Sequence, residues 1–330
     1  MRPFLLLLSF ILCIQAFGQK INGLSFVASR DSITEVHVKP VLNVNANYVS
    51  LMPFAYTRNI NSPKVTYKYK GQWFGERDIG VIQYGKKLQK SGVKIMVKPQ
   101  LWISRGQFTG HLEMKTEEDW KILEDTYREF ILEYARTAQR IRANLFCVGT
   151  ELDRFVSNRP EYWKKLISEI RKVFRGKLTY AANWDEFKRV TFWDQLDFIG
   201  VDAYFPIVDS KTPTIEEFER GWQPHKKLIQ EIQSKFNKPI LFTEFGYRSV
   251  DFTGKEPWNS NRIQDSVNLE AQSNGLQAIY NQFWNEEWFA GGFVWKWFHR
   301  HDRVGGEKNN RFTPQNKPAE TLLKKLYKSR

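Results

Sequence analysis

The chain is expected to fold as a single α/β domain, a (β/α)8 barrel of the TIM type, on three observations. Short apolar runs recur along it, each of a length and composition suited to a strand buried on both faces. Longer stretches of helical period separate them, which implies parallel strands joined by right-handed crossovers. The turn after the first run, Phe26-Val27-Ala28-Ser29-Arg30, holds no glycine, whereas an open doubly wound sheet would place a Gly-rich turn there. A length of 330 residues is ordinary for one such domain.

The runs, in order, are Asn22–Val27, Tyr48–Ala55, Val93–Gln100, Leu145–Gly149, Leu178–Ala182, Phe198–Ala203, Pro239–Thr243 and Gly292–Trp297. Among the helices the clearest spans Thr116–Ala143. There Trp120, Leu123, Tyr127, Phe130, Ile131, Tyr134, Ala135 and Ala138 recur at steps of three and four, the mark of one buried stripe. Thr116 with Asp119 three residues on resembles a capping box. A second helix runs from Pro160, suited to a first turn, to Phe174, with Gly176 as its expected C-terminal cap. Glu216–Phe236 and Asp265–Trp284 follow the same period.

Composition narrows the function. A hydrophobic fraction of 42% without low-complexity tracts argues against disorder. Fifty Lys and Arg against 36 Asp and Glu give a net charge of +14, which raises a polyanionic partner, while 12 Trp raise stacking of a neutral ligand. The basic residues are scattered over most helices among acidic ones, with the densest stretch at Lys324, Lys325, Lys328 and Arg330, and no nucleic-acid module is present. A basic solvated exterior and no nucleic-acid partner are therefore expected.

Residues 1–18 read as a signal peptide: Arg2, an apolar run from Phe4 to Phe17, then small residues at Ala16 and Gly18, with cleavage expected after Gly18. The run is short for a membrane span, and Leu12 before Cys13 disfavours a lipid anchor. A secreted or periplasmic protein, residues 19–330, with no integral membrane segment in the mature chain, is the expectation. Cleavage removes one charge, Arg2, and leaves Cys147 without a partner for an intrachain disulfide. Its apolar run points to burial rather than reactivity.

In such a barrel, chemistry sits where strands end and βα loops begin. The fourth run ends Val148-Gly149-Thr150-Glu151-Leu152 and the seventh ends Phe242-Thr243-Glu244-Phe245-Gly246-Tyr247. Two carboxyls facing each other across the mouth suit glycosidic cleavage. One must stay protonated to give its proton to the departing oxygen, and the other must stay ionised to attack, or to activate water at, the anomeric carbon. Either glutamate alone reads equally well as the partner of a Lys or Arg; the pair on the fourth and seventh strands is far more specific.

The motif set resembles a clan A glycoside hydrolase, and more closely glycoside hydrolase family 113, whose known members are β-mannanases. The segments that carry it are Val148–Leu152, Leu178–Asp185, Gly200–Pro206, Phe242–Ser249, Pro257-Trp258 and Phe293–Trp297. The resemblance implies that Glu151 is the general acid/base and Glu244 the nucleophile of a retaining double displacement. It implies that the Tyr204 hydroxyl contacts the nucleophile, where a donated hydrogen bond would keep that carboxylate ionised and turned. It also implies that Trp295 floors the subsite before the scissile bond. Many clan members carry Asn where this chain has Thr150; Thr is the pattern of the narrower family, and the partner of the sugar 2-hydroxyl stays unassigned.

Trp184 and Trp297 are weaker stacking candidates. Asn183, Asp202, Lys98 and Gln100, at strand ends, suit either sugar hydroxyls or structural pairing: Lys98 with a carboxylate, Asp202 with a turn or with Arg248. Loops Arg105–Lys115 and Ser249–Arg262 are the expected walls of the cleft. The five histidines form no zinc spacing, and His299-Arg300-His301-Asp302 reads as a solvated or substrate-contacting loop. Walker, dinucleotide and nucleophile-elbow motifs are missing, so no cofactor and no metal are expected. The reading is a hydrolase of β-1,4-mannosidic bonds in mannan or manno-oligosaccharides. The alternatives are a related barrel acting on glucan or xylan and a barrel that binds glycan without cutting it. The oligomeric state is left open.

Overall fold

The computed structural model describes residues 19–260 and 266–328. The expected signal segment 1–18, Asp265 at the start of one helix, Arg262 at the edge of one loop and the terminal Arg330 lie outside the described residues. Eight parallel strands close into a barrel, as the alternation of runs and helices implies. In chain order the strands are β1 (Ile21–Phe26), β2 (Tyr48–Leu51), β3 (Phe54–Thr57), β4 (Lys94–Val97), β5 (Gln100–Ile103), β6 (Leu145–Thr150), β7 (Lys177–Asn183), β8 (Ile199–Asp202), β9 (Ile240–Phe245) and β10 (Phe289–Trp297). All but β3 and β5 belong to the barrel, whose ring runs β1-β2-β4-β6-β7-β8-β9-β10 and returns to β1.

The second and third apolar runs each divide in two. Pro53 and Pro99, which have no N–H to give to a ladder, stand at the breaks. Beyond them β3 and β5 pair in parallel as a separate ribbon, Phe54 opposite Gln100 and Thr57 opposite Ile103. The Gln100 N–H to Pro53 carbonyl bond, 2.8 Å, ties the two bends together. Lys98 and Gln100 thus flank a bend where an unbroken strand was expected.

The helices are α1 (Glu35–Asn43), α2 (Asp78–Gln89), α3 (Glu117–Arg140), α4 (Asp153–Asn158), α5 (Pro160–Val173), α6 (Ile215–Phe236), α7 (Leu269–Phe283) and α8 (Pro318–Lys328). Every residue of the stripe read in α3 is buried. Thr116 Oγ1 accepts the Asp119 N–H at 3.1 Å, which is one half of the expected capping box. The cap expected at Gly176 does not form: α5 ends at Val173, and Phe174 after it is in extended backbone, φ −127°. Gly176 serves packing instead, since a Cβ there would lie 2.4 Å from the Phe174 ring.

The interior of the barrel changes character along its axis. Ile21, Met96, Leu145, Leu241 and Phe293 form an apolar layer of their own. Side chains two apart on a strand share a face. Lys98 therefore follows Met96, and Thr243 follows Leu241, toward the C-terminal ends. There the buried residues are polar: Lys98, Thr179, Asp202, Thr243 and Glu244. No helix among the described residues is long and apolar enough to cross a membrane.

Candidate active site

The polar layer is organised around Glu244, at the end of β9 and 6% exposed. Alternation alone would send consecutive Thr243 and Glu244 to opposite faces. The pairing of β8 with β9 shifts between Val201 and Asp202, so that Asp202 stands opposite Glu244. This irregularity lets both side chains reach the same cluster. Glu244 Oε1 accepts the Lys98 ammonium and the Gln100 amide at 3.0 Å. Its Oε2 accepts the Tyr204 hydroxyl at 2.9 Å. Three donors on two oxygens suit a carboxylate, which is an acceptor only.

Lys98 and Asp202 are fully buried beneath this carboxylate and have no surface to offer a sugar. The Lys98 ammonium lies 3.3 and 3.2 Å from the two Asp202 oxygens, and Thr243 Oγ1 donates to Asp202 Oδ1 at 2.7 Å. The expected pairing of Lys98 with a carboxylate is thus met twice, while Asp202 pairs with Lys98 rather than Arg248. Arg248 donates from Nε to the Asn310 carbonyl at 3.2 Å. Burial opposes the Lys98 charge, but Asp202 and Glu244 outweigh it and raise its pKa above the usual lysine value. Burial and the Glu244 charge push Asp202 up, while Lys98 and Thr243 hold it down.

Glu151 follows β6 and stands in a different environment. Its backbone lies in the left-handed region, φ +50°, a conformation that costs a non-glycine residue on the order of 1–2 kcal/mol. Burial, and after it the charges of Asp202 and Glu244, raise its carboxyl well above the usual range, with Lys98 in opposition. The neutral form of Glu151 is thereby favoured, near a carboxylate that accepts three hydrogen bonds. Thr150, before it, donates to the Pro99 carbonyl at 3.4 Å.

Aromatic residues frame the mouth. Trp295, near the end of β10, is half-buried, with the Lys296 ammonium 5.1 Å above its ring. Gly246 makes room for it, since a Cβ there would meet the Trp295 carbonyl at 2.7 Å. Trp184, after β7, is half-buried and stacks at 5.3 Å and 19° on Trp258, which is 43% exposed. Trp258 lies in the loop expected as a wall, and its aromatic neighbour could not be found from spacing. Asn183 is half-buried, its Oδ1 taking the Trp184 N–H at 2.9 Å.

Trp297 corrects an expectation. It is fully buried and offers no face to a sugar, because the register of β1 on β10 shifts before the Phe26–Trp297 pair. Alternation from Phe293 and Trp295 fails at that point, and Trp297 packs in the main core cluster. The other expected wall, around Arg105–Lys115, folds as two short turns. In the loop after β10, Arg300 pairs with Asp31 at 2.5 Å and His301 Nε2 lies 2.6 Å from Glu320. Among the described residues no three His, Cys, Asp or Glu are grouped to hold a metal.

Comparison with known proteins places the chain. It is similar in structure to a GH113 β-1,4-mannanase solved as a complex, with a TM-score of 0.81 and 23% identity over 94% of this chain and 100% of that one. It is similar also to the GH113 β-mannanase AaManA from Alicyclobacillus acidocaldarius in complex with ManMIm, with a TM-score of 0.82 and 23% identity over 95% and 99% of the two chains. A β-glucuronidase of Faecalibacterium prausnitzii shares the fold more distantly, with a TM-score of 0.61 and 14% identity, this chain spanning 49% of that one. A comparison with curated proteins finds no match. The family model for Glycoside Hydrolase Family 113 matches residues 27–317. With that match over most of its length, the chain belongs to glycoside hydrolase family 113.

Proposed function

We propose that this glycoside hydrolase cleaves β-1,4-mannosidic bonds in mannan or manno-oligosaccharides with retention of configuration. The observation that carries the mechanism is the opposed environment of two carboxyls at one mouth. Glu244 accepts Lys98, Gln100 and Tyr204, whereas burial and neighbouring negative charge raise the Glu151 pKa and favour its protonated form. Retaining cleavage needs this division of labour. The choice of mannan is supported by the printed activity of the two family members similar in structure.

In the first step a Glu244 oxygen attacks the anomeric carbon as the bond to the glycosidic oxygen breaks, and Glu151 gives that oxygen its proton. The product is a glycosyl ester of Glu244. Ester formation cancels the Glu244 charge, one of the charges that raise the Glu151 pKa, so the deprotonated form needed next becomes easier to hold. Glu151 then takes a proton from water as its oxygen attacks the anomeric carbon, and the ester bond breaks. Tyr204 and Lys98 turn and neutralise the nucleophile. Trp295, and the Trp184–Trp258 stack, offer flat faces to the sugar rings, and Asn183 a hydrogen-bonding side chain.

Export through residues 1–18 is part of the proposal. The test is incubation with mannan, glucan and xylan, followed by reducing-end assay and NMR of the first anomer released. New ends from mannan, appearing first as the β-anomer, are expected. Release from glucan or xylan alone would replace the substrate, and binding without new ends would replace catalysis.

A further inference from the structure

The peptide at Glu151 is held by two successive hydrogen bonds. Its own N–H donates to the Ala181 carbonyl at 2.8 Å, and the next N–H, of Leu152, donates to the Tyr180 hydroxyl at 2.7 Å. Both acceptors come from β7. The hydroxyl has one proton of its own, which it gives to Glu186 Oε1 at 2.6 Å. Glu186 Oε2 accepts the Asn183 N–H at 3.0 Å, and the Glu186 N–H returns to the Asn183 carbonyl at 2.9 Å. Thus one carboxyl is joined at one oxygen to the turn that aims Glu151, and at the other to the end of β7 that carries Asn183 and Trp184.

We infer that Glu186 and Tyr180 form a buried strap that sets the position of the Glu151 carboxyl, Glu186 acting as a positioning residue for proton transfer; this rests on the role proposed above for Glu151. Neither residue reaches a ligand: Glu186 is 1% exposed and Tyr180 fully buried. Burying a carboxyl is costly unless its oxygens are hydrogen-bonded, and burial pushes Glu186 up to about 8. An apolar side chain would fill the same space without that cost. It would not turn the phenol, whose lone pair must face Leu152 while its proton faces away. Glu151 is a non-glycine residue at positive φ, so its side-chain direction depends on what holds the peptides on either side of it.

The strap makes a prediction that a purely structural role does not. A displaced acid slows bond breaking most where the leaving oxygen needs a proton most. Tyr180→Phe, Glu186→Leu and Glu186→Gln are compared with wild type on aryl β-mannosides running from 2,4-dinitrophenyl to unsubstituted phenyl, reading kcat/KM. Tyr180→Phe and Glu186→Leu are expected to lose about 10- to 100-fold on the phenyl glycoside and less than about 3-fold on the dinitrophenyl one. Glu186→Gln, which keeps an oxygen for the Tyr180 proton, is expected to recover most of the loss. Equal losses across the series, or none, overturn the strap. If Tyr180→Phe does not fold, the two Glu186 variants carry the same comparison. A wild-type protein that releases no new ends from mannan overturns the proposed function, and the strap with it, whereas an active wild type with a flat variant series overturns the strap alone.

Discussion

The ends of β6 and β9 carry the same residue type and put it to opposite use. At β9, Glu244 receives Lys98, Gln100 and Tyr204, so a buried negative charge is compensated at both oxygens. At β6, Glu151 meets burial and two like charges, so the neutral form is favoured. A glutamate has no fixed chemistry; its neighbours decide whether it keeps its proton. Those neighbours come from β8, the loop after it and the bends beyond β4, none of which is next to either glutamate in sequence.

The contrast can be broken most severely at the proposed nucleophile. Glu244→Gln is expected to lower kcat by about 10⁴-fold or more, since the ester cannot form, while sugar binding stays measurable by calorimetry. Near-normal turnover would remove Glu244 from its role. Next comes the proposed acid. Glu151→Gln is expected to lose about 10²- to 10⁴-fold on substrates with poor leaving groups. The wild-type pH profile sharpens the point by its sign: the Glu151 pKa is raised, so its acid form extends to higher pH than that of an ordinary carboxyl and activity falls as pH rises through that raised value. The alkaline limb should vanish in the variant when a good leaving group is used.

The remaining two changes act on the compensation at β9. Lys98→Met leaves Asp202 and Glu244 buried without their cation, and is expected to cost roughly 3–5 kcal/mol in denaturant unfolding. Adding Asp202→Asn should restore part of that stability without restoring turnover; an unchanged midpoint in the single variant would refute the pairing. Tyr204→Phe is the mildest. It removes one neutral donor to a carboxylate, worth about 1.5–3 kcal/mol, and should lower kcat by about 10- to 100-fold with little change in KM.

Much of the fold was legible because it rests on local patterns. The stripe in α3 recurs with helical period, and each of its positions is buried. Eight apolar runs became eight barrel strands because a strand covered on both faces has no polar positions to spare. Legibility failed where backbone irregularity overrides period. Pro53 and Pro99 split two runs, and a register shift sent Trp297 into the core while Trp295 stayed at the mouth. The only signal at Glu186 was the capping-box spacing of Asn183 three residues before it; its bond to Tyr180 has no such spacing, and Leu152 belongs to another loop.

By itself, then, the sequence determined the strands, the helices and the two glutamates at strand ends, together with the family resemblance from which their proposed roles follow. Period and apolar content need only neighbours along the chain. Tertiary structure alone decided which carboxyl sits where its neutral form is favoured, which lysine and tyrosine hold the other, and which tryptophans face solvent. Hydrogen bonding, desolvation and Coulomb interaction depend on distances across the ring, and those exist only once the barrel has closed.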